Sequence, residues 1–78
     1  MSNIDLAFGK AVKARRLQLE ISQESLAFRA GLHRTYISDI ERGLKCPSLR
    51  VVIRIAYALD LPAPDLVKMA EDYALKLA

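Results

Sequence analysis

The side chains best suited to chemistry in this chain stand together in one short segment: Arg34, Thr35, Tyr36 and Asp39, with His33 just before them. They are hydrogen-bonding groups of the kind that read base edges. On a helix lying in a groove about 12 Å wide, an arginine can donate two parallel bonds to guanine O6 and N7. Thr35 can donate, accept, or press its methyl on that of thymine. Tyr36 can stack on the same methyl or bond a phosphate. Asp39 can accept from cytosine N4, or orient Arg34 instead. Nothing comparable points to catalysis. The single histidine has no partner for a metal site, no glycine-rich phosphate loop is present, and no carboxylates stand at metal-ligand spacing. The chain therefore reads as a binding protein, not an enzyme, with no metal and no cofactor. Its one cysteine, Cys46, has no second thiol with which to form an internal disulfide or a redox pair.

Such a row needs a helix to carry it and a bundle to hold that helix. The hydrophobic pattern supplies both, with a helical period throughout and no strand-like alternation. A first amphipathic helix is predicted from Ile4 to about Leu19, with Phe8, Ala11, Val12 and Leu19 inward among Lys10, Lys13, Arg15 and Arg16. Ser22 is suited to cap a second helix, Gln23 to Ala30, with Leu26 and Ala27 inward. Gly31 can take the left-handed conformation that ends it. A third helix, Arg34 to Arg42, turns Ile37 and Ile40 to the core and leaves the row of polar side chains free. Gly43 ends it. After Pro47 and Ser48 a fourth helix runs to about Asp60, with Leu49, Val52, Ile53, Ala56 and Leu59 read as inward. Leu61-Pro62-Ala63-Pro64 breaks the chain again, and Pro64 suits the first turn of a closing helix over about 64–77. The expectation is an all-α, five-helix bundle forming one domain over 1–78.

The 78 residues are 53% hydrophobic and 27% charged, a composition that folds and does not stay disordered. No apolar run reaches the eighteen residues of a membrane span. The start, Met1-Ser2-Asn3-Ile4-Asp5, lacks the regions of a signal peptide, so a reducing cytoplasm is the expected location. The net charge is +3, unevenly spread. Up to Arg54 there are ten basic residues against five acidic, and from Ile55 onward two against four. A basic front and an acidic rear suit a module that turns one face to a polyanion, although a solvated charged surface gives the same imbalance.

Two short helices joined by a glycine turn form the helix-turn-helix pattern. Ile21-Ser22-Gln23-Glu24-Ser25-Leu26-Ala27, Ala30-Gly31-Leu32, Tyr36-Ile37-Ser38-Asp39-Ile40-Glu41-Arg42-Gly43 and Pro47-Ser48-Leu49 together resemble the Cro/C1-type (XRE) helix-turn-helix family. The likeness covers about Phe8 to Leu66. Within that family, Leu32 to Arg42 is most similar to the controller proteins of restriction–modification systems. The resemblance implies a lambda-repressor-like fold and a transcription regulator that binds specific double-stranded DNA as a homodimer. Residue by residue, it places Arg34, Thr35, Tyr36 and Asp39 at base-reading positions. It places Gln23 against a phosphate, with Ser22 at the same helix terminus. Ser38, Arg42, Lys45 and Ser48 fall along the DNA backbone, and His33 is a cap or a phosphate neighbour. Arg16 and Glu41 match a structural ion pair. Glu24 lies where a repressor of this family presents an acid to RNA polymerase. Arg15 departs from the family, replacing a usually apolar residue, so the first helix packs less well there or Arg15 faces DNA.

The closing helix carries a broad apolar side. Leu66, Met69, Ala70, Tyr73 and Leu77, with Tyr57 and Leu61, are expected to leave a patch that a second copy covers. A two-fold dimer sets its recognition helices about one DNA turn, roughly 34 Å, apart and reads a pseudo-palindrome. An antitoxin or a phage-type repressor of the same fold is the alternative reading, and the neighbouring genes discriminate between them.

Overall fold

The computed structural model describes residues 3–77. Five helices follow one another: α1 Asn3–Gln18, α2 Gln23–Ala30, α3 Arg34–Glu41, α4 Leu49–Ala58 and α5 Ala63–Leu77. The described residues include no strand. The all-helical reading of the sequence is borne out, with ends displaced by one or two residues, as helix ends commonly are.

The boundaries follow from local chemistry. The Ser22 hydroxyl accepts from the Ser25 amide at 3.0 Å and so satisfies one of the open donors of the first turn of α2. Gly31 closes α2 at φ 70°, and its amide reaches the carbonyls of Ala27 and Phe28. That left-handed conformation costs a side chain roughly 1–2 kcal/mol, which glycine avoids. Ser48 repeats the serine cap on α4, accepting from the Val51 amide at 3.3 Å. His33 holds the N-cap position of α3 with extended backbone, but its imidazole makes no capping bond.

One core runs through the bundle. It is built from Phe8, Ala11 and Val12 of α1, Leu26 of α2, Ile37 and Ile40 of α3, Ile55 and Leu59 at α4, and Leu66 of α5. Helix α1 lies along α5 and crosses α3 at Gly9. A β-carbon on Gly9 would overlap the carbonyl oxygens of Ile40 and Glu41, so glycine is what lets α1 sit directly on the end of α3.

Two expectations are corrected here. In α4, Leu49 and Ile53 do not face the core: they are 73% and 51% exposed, while Ile55 is buried. The helix is apolar almost all round, and its period fits two stripes equally well. Ile55, Ala56 and Leu59 took the core, with Val52 half-buried against it; Leu49, Ile53 and Tyr57, each four residues apart, did not. In α5, Leu66 and Ala70 are buried inside the core, so they cannot lie on an exposed patch for a second copy. Met69, Tyr73 and Leu61 are half-buried against the same core. Packing α5 along α1 covers Leu66 and Ala70, while Leu77 stays 37% exposed at the end of the helix.

Candidate nucleic-acid interface

Helix α3 is fixed from beneath by Ile37 and Ile40, both fully buried. Its opposite side is thereby turned outward. Arg34 and Thr35 are exposed at the N-terminal end, with His33 exposed just before them. Tyr36 and Ser38 are half-buried. Arg34 and Thr35 stand at the end of the helix that enters a groove first in this motif.

Asp39 is already occupied. Arg42, the C-cap of α3, donates from Nη2 to Asp39 Oδ1 at 2.8 Å, three residues back along the chain. The sequence had left Asp39 to accept from a base or to orient Arg34; in the structure it holds Arg42. The pair offsets the acid's charge on the outward side of α3 and fixes Arg42 at the C-cap of that helix. Exposed as it is, it contributes little stability, of order 0–1 kcal/mol.

The C-terminal end of α3 is tied to the two preceding helices by a buried network. Arg16 donates to Glu41 through two parallel bonds, Nε to Oε2 at 2.7 Å and Nη2 to Oε1 at 3.0 Å. Its Nη1 reaches the Ile21 carbonyl at 3.0 Å. Gln23 donates from Nε2 to Glu41 Oε1 at 3.1 Å. Arg16 and Glu41 are each only 8% exposed, and no buried side-chain polar atom among the described residues lacks a partner. The last turn of α1, the first residue of α2 and the end of α3 are thus locked together. The Gln23 amide nitrogen carries two hydrogens, so one remains after the bond to Glu41. Ser22 and Ser48 likewise use only acceptor capacity in capping, and each hydroxyl keeps its proton to donate. Lys45 is exposed in the connection from α3 to α4.

Arg15 does something the sequence reading did not foresee. It neither loosens α1 nor joins the recognition face. Its Nε donates to the Leu59 carbonyl at 2.9 Å and its Nη2 to the Asp60 carbonyl at 3.0 Å. Those carbonyls lie at the end of α4, which leaves acceptors open there. The signal was present in the sequence as a basic residue at an otherwise apolar position, but its partners lie 44 and 45 residues away.

Tyr57, expected on an exposed patch, is 82% exposed, and Leu49 and Ile53, which the sequence placed inward, extend it into an open stripe on α4. Phe28 is an exposed aromatic on α2. Tyr57 also borders a surface depression shared with Arg29, Asp60, Leu61 and Pro62. Among the described residues no cluster of His, Cys, Asp or Glu is arranged to hold a metal ion, and no helix is long and apolar enough to cross a membrane.

A family model described as helix-turn-helix matches residues 12–74, which include both motif helices, their turn and most of α5. The chain belongs to the helix-turn-helix family. Among helix-turn-helix proteins it is 49% identical over 67 residues to the control protein C.BamHI of Bacillus amyloliquefaciens, across 85% of this chain and 83% of that protein. The crystal structure of the restriction–modification controller protein C.AhdI from Aeromonas hydrophila superposes with a TM-score of 0.77 at 38% identity, covering 78% of this chain and 92% of that one. The controller C.Esp1396I, crystallised as a tetramer with its natural 35-base-pair operator, superposes with a TM-score of 0.87 at 28% identity, covering 96% and 99%. The resemblance to Cro/C1-type proteins of the controller kind is borne out, as is the bundle architecture it implied.

Proposed function

We propose that this helix-turn-helix protein is a sequence-specific transcription regulator that binds a pseudo-palindromic operator as a homodimer and controls a restriction–modification system. The observation that carries this reading is α3, buried on Ile37 and Ile40 and presenting Arg34 and Thr35 at its free end, in a chain half identical to a control protein. In the proposed complex Arg34 reads a guanine, Thr35 and Tyr36 read or pack against neighbouring bases, and Asp39 acts through Arg42. Ser22, Gln23, His33, Ser38, Arg42, Lys45 and Ser48 hold the phosphates on either side, which positions the helix without carrying sequence information. The protein works in the cytoplasm, where its DNA is, and its role is binding, not catalysis.

The dimer surface is proposed on α4, not on the core-facing side of α5. Leu49, Ile53 and Tyr57 form a continuous exposed apolar stripe that leads to Leu61 at the α4–α5 turn. Self-complementary packing of that stripe suits a two-fold interface. In sedimentation at tens of micromolar the wild-type chain is expected to be a dimer. Ile53→Asp, which changes an outward side chain, is expected to be a folded monomer. A variant that stays dimeric would move the interface elsewhere.

Activation is proposed to use Glu24, exposed on the first turn of α2, as a contact for RNA polymerase. Glu24→Ala is expected to keep operator affinity and lose activation in a reporter assay. Full activation by this variant would remove the contact.

The reading as a whole is tested by selecting bound sequences from a random double-stranded pool. The enriched pool is expected to contain two inverted half-sites centred about one helical turn apart. A pool with no common motif would overturn it.

A further inference from the structure

We propose that Arg15 is a positioning residue: with its neighbour Arg16 it braces the recognition helix against the α4–α5 corner, and so fixes the separation of the two recognition helices in the dimer. The inference rests on the dimer reading given above and adds to it the residue that sets its geometry.

The two arginines are consecutive on α1 yet reach different elements, because successive helical positions point about 100° apart. Arg16 grips Glu41 at the C-terminal end of α3 with two bonds, at 2.7 and 3.0 Å. Arg15 grips the carbonyls of Leu59 and Asp60 at 2.9 and 3.0 Å, and its Nη1 is steadied by Gln18 Oε1 at 3.3 Å. The last turn of α1 is therefore a rigid strut with one end on the reading helix and the other on the corner that closes α4.

That corner needs holding. Asp60 has φ 55°, a left-handed conformation that aspartate tolerates better than most residues with a side chain but that still favours support from its surroundings. The guanidinium of Arg15 bonds that residue's own carbonyl and the one before it. A positive group at the end of α4 also meets the negative pole of the helix. The corner is flanked by Tyr57, Leu61 and Pro62, which border the proposed dimer surface.

The consequence is geometric. Helix α3 packs on α1 and α2, and α4 packs on α2 and α5, so the placement of the reading helix relative to the dimer face passes through these packed contacts and through the Arg15–Arg16 strut. A shift of one base pair in half-site spacing moves the target by about 3.4 Å along the duplex. A protein with a braced corner cannot follow such a shift; one with a loose corner can.

The test compares wild type with Arg15→Met and Arg15→Lys on operators whose half-sites are moved by one base pair in either direction. Methionine keeps the stem and supplies the apolar character usual in the family, while losing both bonds. Sedimentation and affinity for a single half-site are measured on the same preparations. Wild type is expected to lose about tenfold or more in affinity per shift, comparable with the loss of a base pair's readout. Arg15→Met is expected to remain a dimer with unchanged half-site affinity, and its discrimination between spacings is expected to fall to about threefold or less on that same scale. Arg15→Lys, which keeps a donor for the corner, should fall between. Wild-type discrimination in a folded Arg15→Met dimer overturns the inference and leaves the proposed function standing. Monomeric Arg15→Met also overturns it, since the residue then acts in assembly. A wild-type protein indifferent to spacing overturns the dimer reading and this inference together.

Discussion

Glu41→Ala is expected to cost about 3–5 kcal/mol of folding stability, the range for removing one partner of a buried ion pair. Both partners are nearly inaccessible, and the carboxylate receives three hydrogen bonds, two from Arg16 and one from Gln23. Without it the guanidinium of Arg16 keeps only the Ile21 carbonyl, so a buried charge is left uncompensated. Domains of this size have total stabilities of about 5–15 kcal/mol, so the loss takes a large share. Each kcal/mol lowers the midpoint of thermal unfolding by about 4–8 °C at this length. Arg16→Met combined with Glu41→Leu removes both charges and is expected to recover most of the stability, because the penalty lies in the unpaired charge and not in the missing bridge. Denaturant unfolding of the three proteins checks this. A Glu41→Ala variant within about 1 kcal/mol of wild type, the worth of an exposed pair, would show that the pair is not structural.

Arg34→Ala is expected to weaken operator binding by about 1–3 kcal/mol per half-site, roughly 5- to 150-fold, the worth of one bidentate contact to a base. The loss should be specific: preference at one position of each half-site relaxes, while affinity for random DNA changes far less. Lys45→Ala provides the contrast. A phosphate contact carries no sequence information, so its removal should weaken all sequences alike and reduce the salt dependence by about one counterion. Equal losses of Arg34→Ala on operator and on random DNA would contradict its place as a base reader.

Elements marked by local chemistry could be read from the sequence, and elements decided by distant packing could not. Ser22, Gly31, Ser48 and the Ile37–Ile40 pair act within a turn or two of themselves, and the helices they delimit lie where the sequence placed them. Helix α4 is different. Its residues are apolar on two sides, and only the docking of α2 and α5 decides that Ile55 goes in and Ile53 stays out. Leu66 and Ala70 were misplaced for the same reason, because an apolar stripe does not reveal whether the same chain or another copy covers it. The reach of Arg15 to Leu59 and Asp60 depends on the full tertiary fold, as does the approach of α1 to α3 at Gly9. Gly9 did leave a trace, since a glycine in a helix interior costs about 1 kcal/mol against alanine and so invites a packing explanation. In α3 the Ile37–Ile40 pair was legible as the buried side, and Arg34 and Thr35 are exposed opposite it, as that pattern requires. The Asp39–Arg42 pair was not visible, because several charged neighbours were within reach of the same carboxylate.

The central claim is sequence-specific DNA binding, and gel mobility shift tests it most directly. DNA from upstream of the gene is titrated with the protein at ~150 mM salt, against an excess of random DNA of equal length, conditions that suppress purely electrostatic binding. A retarded band that survives the competitor is expected. A band that random DNA removes as readily as the upstream fragment does would contradict it, leaving a basic surface without a reading helix.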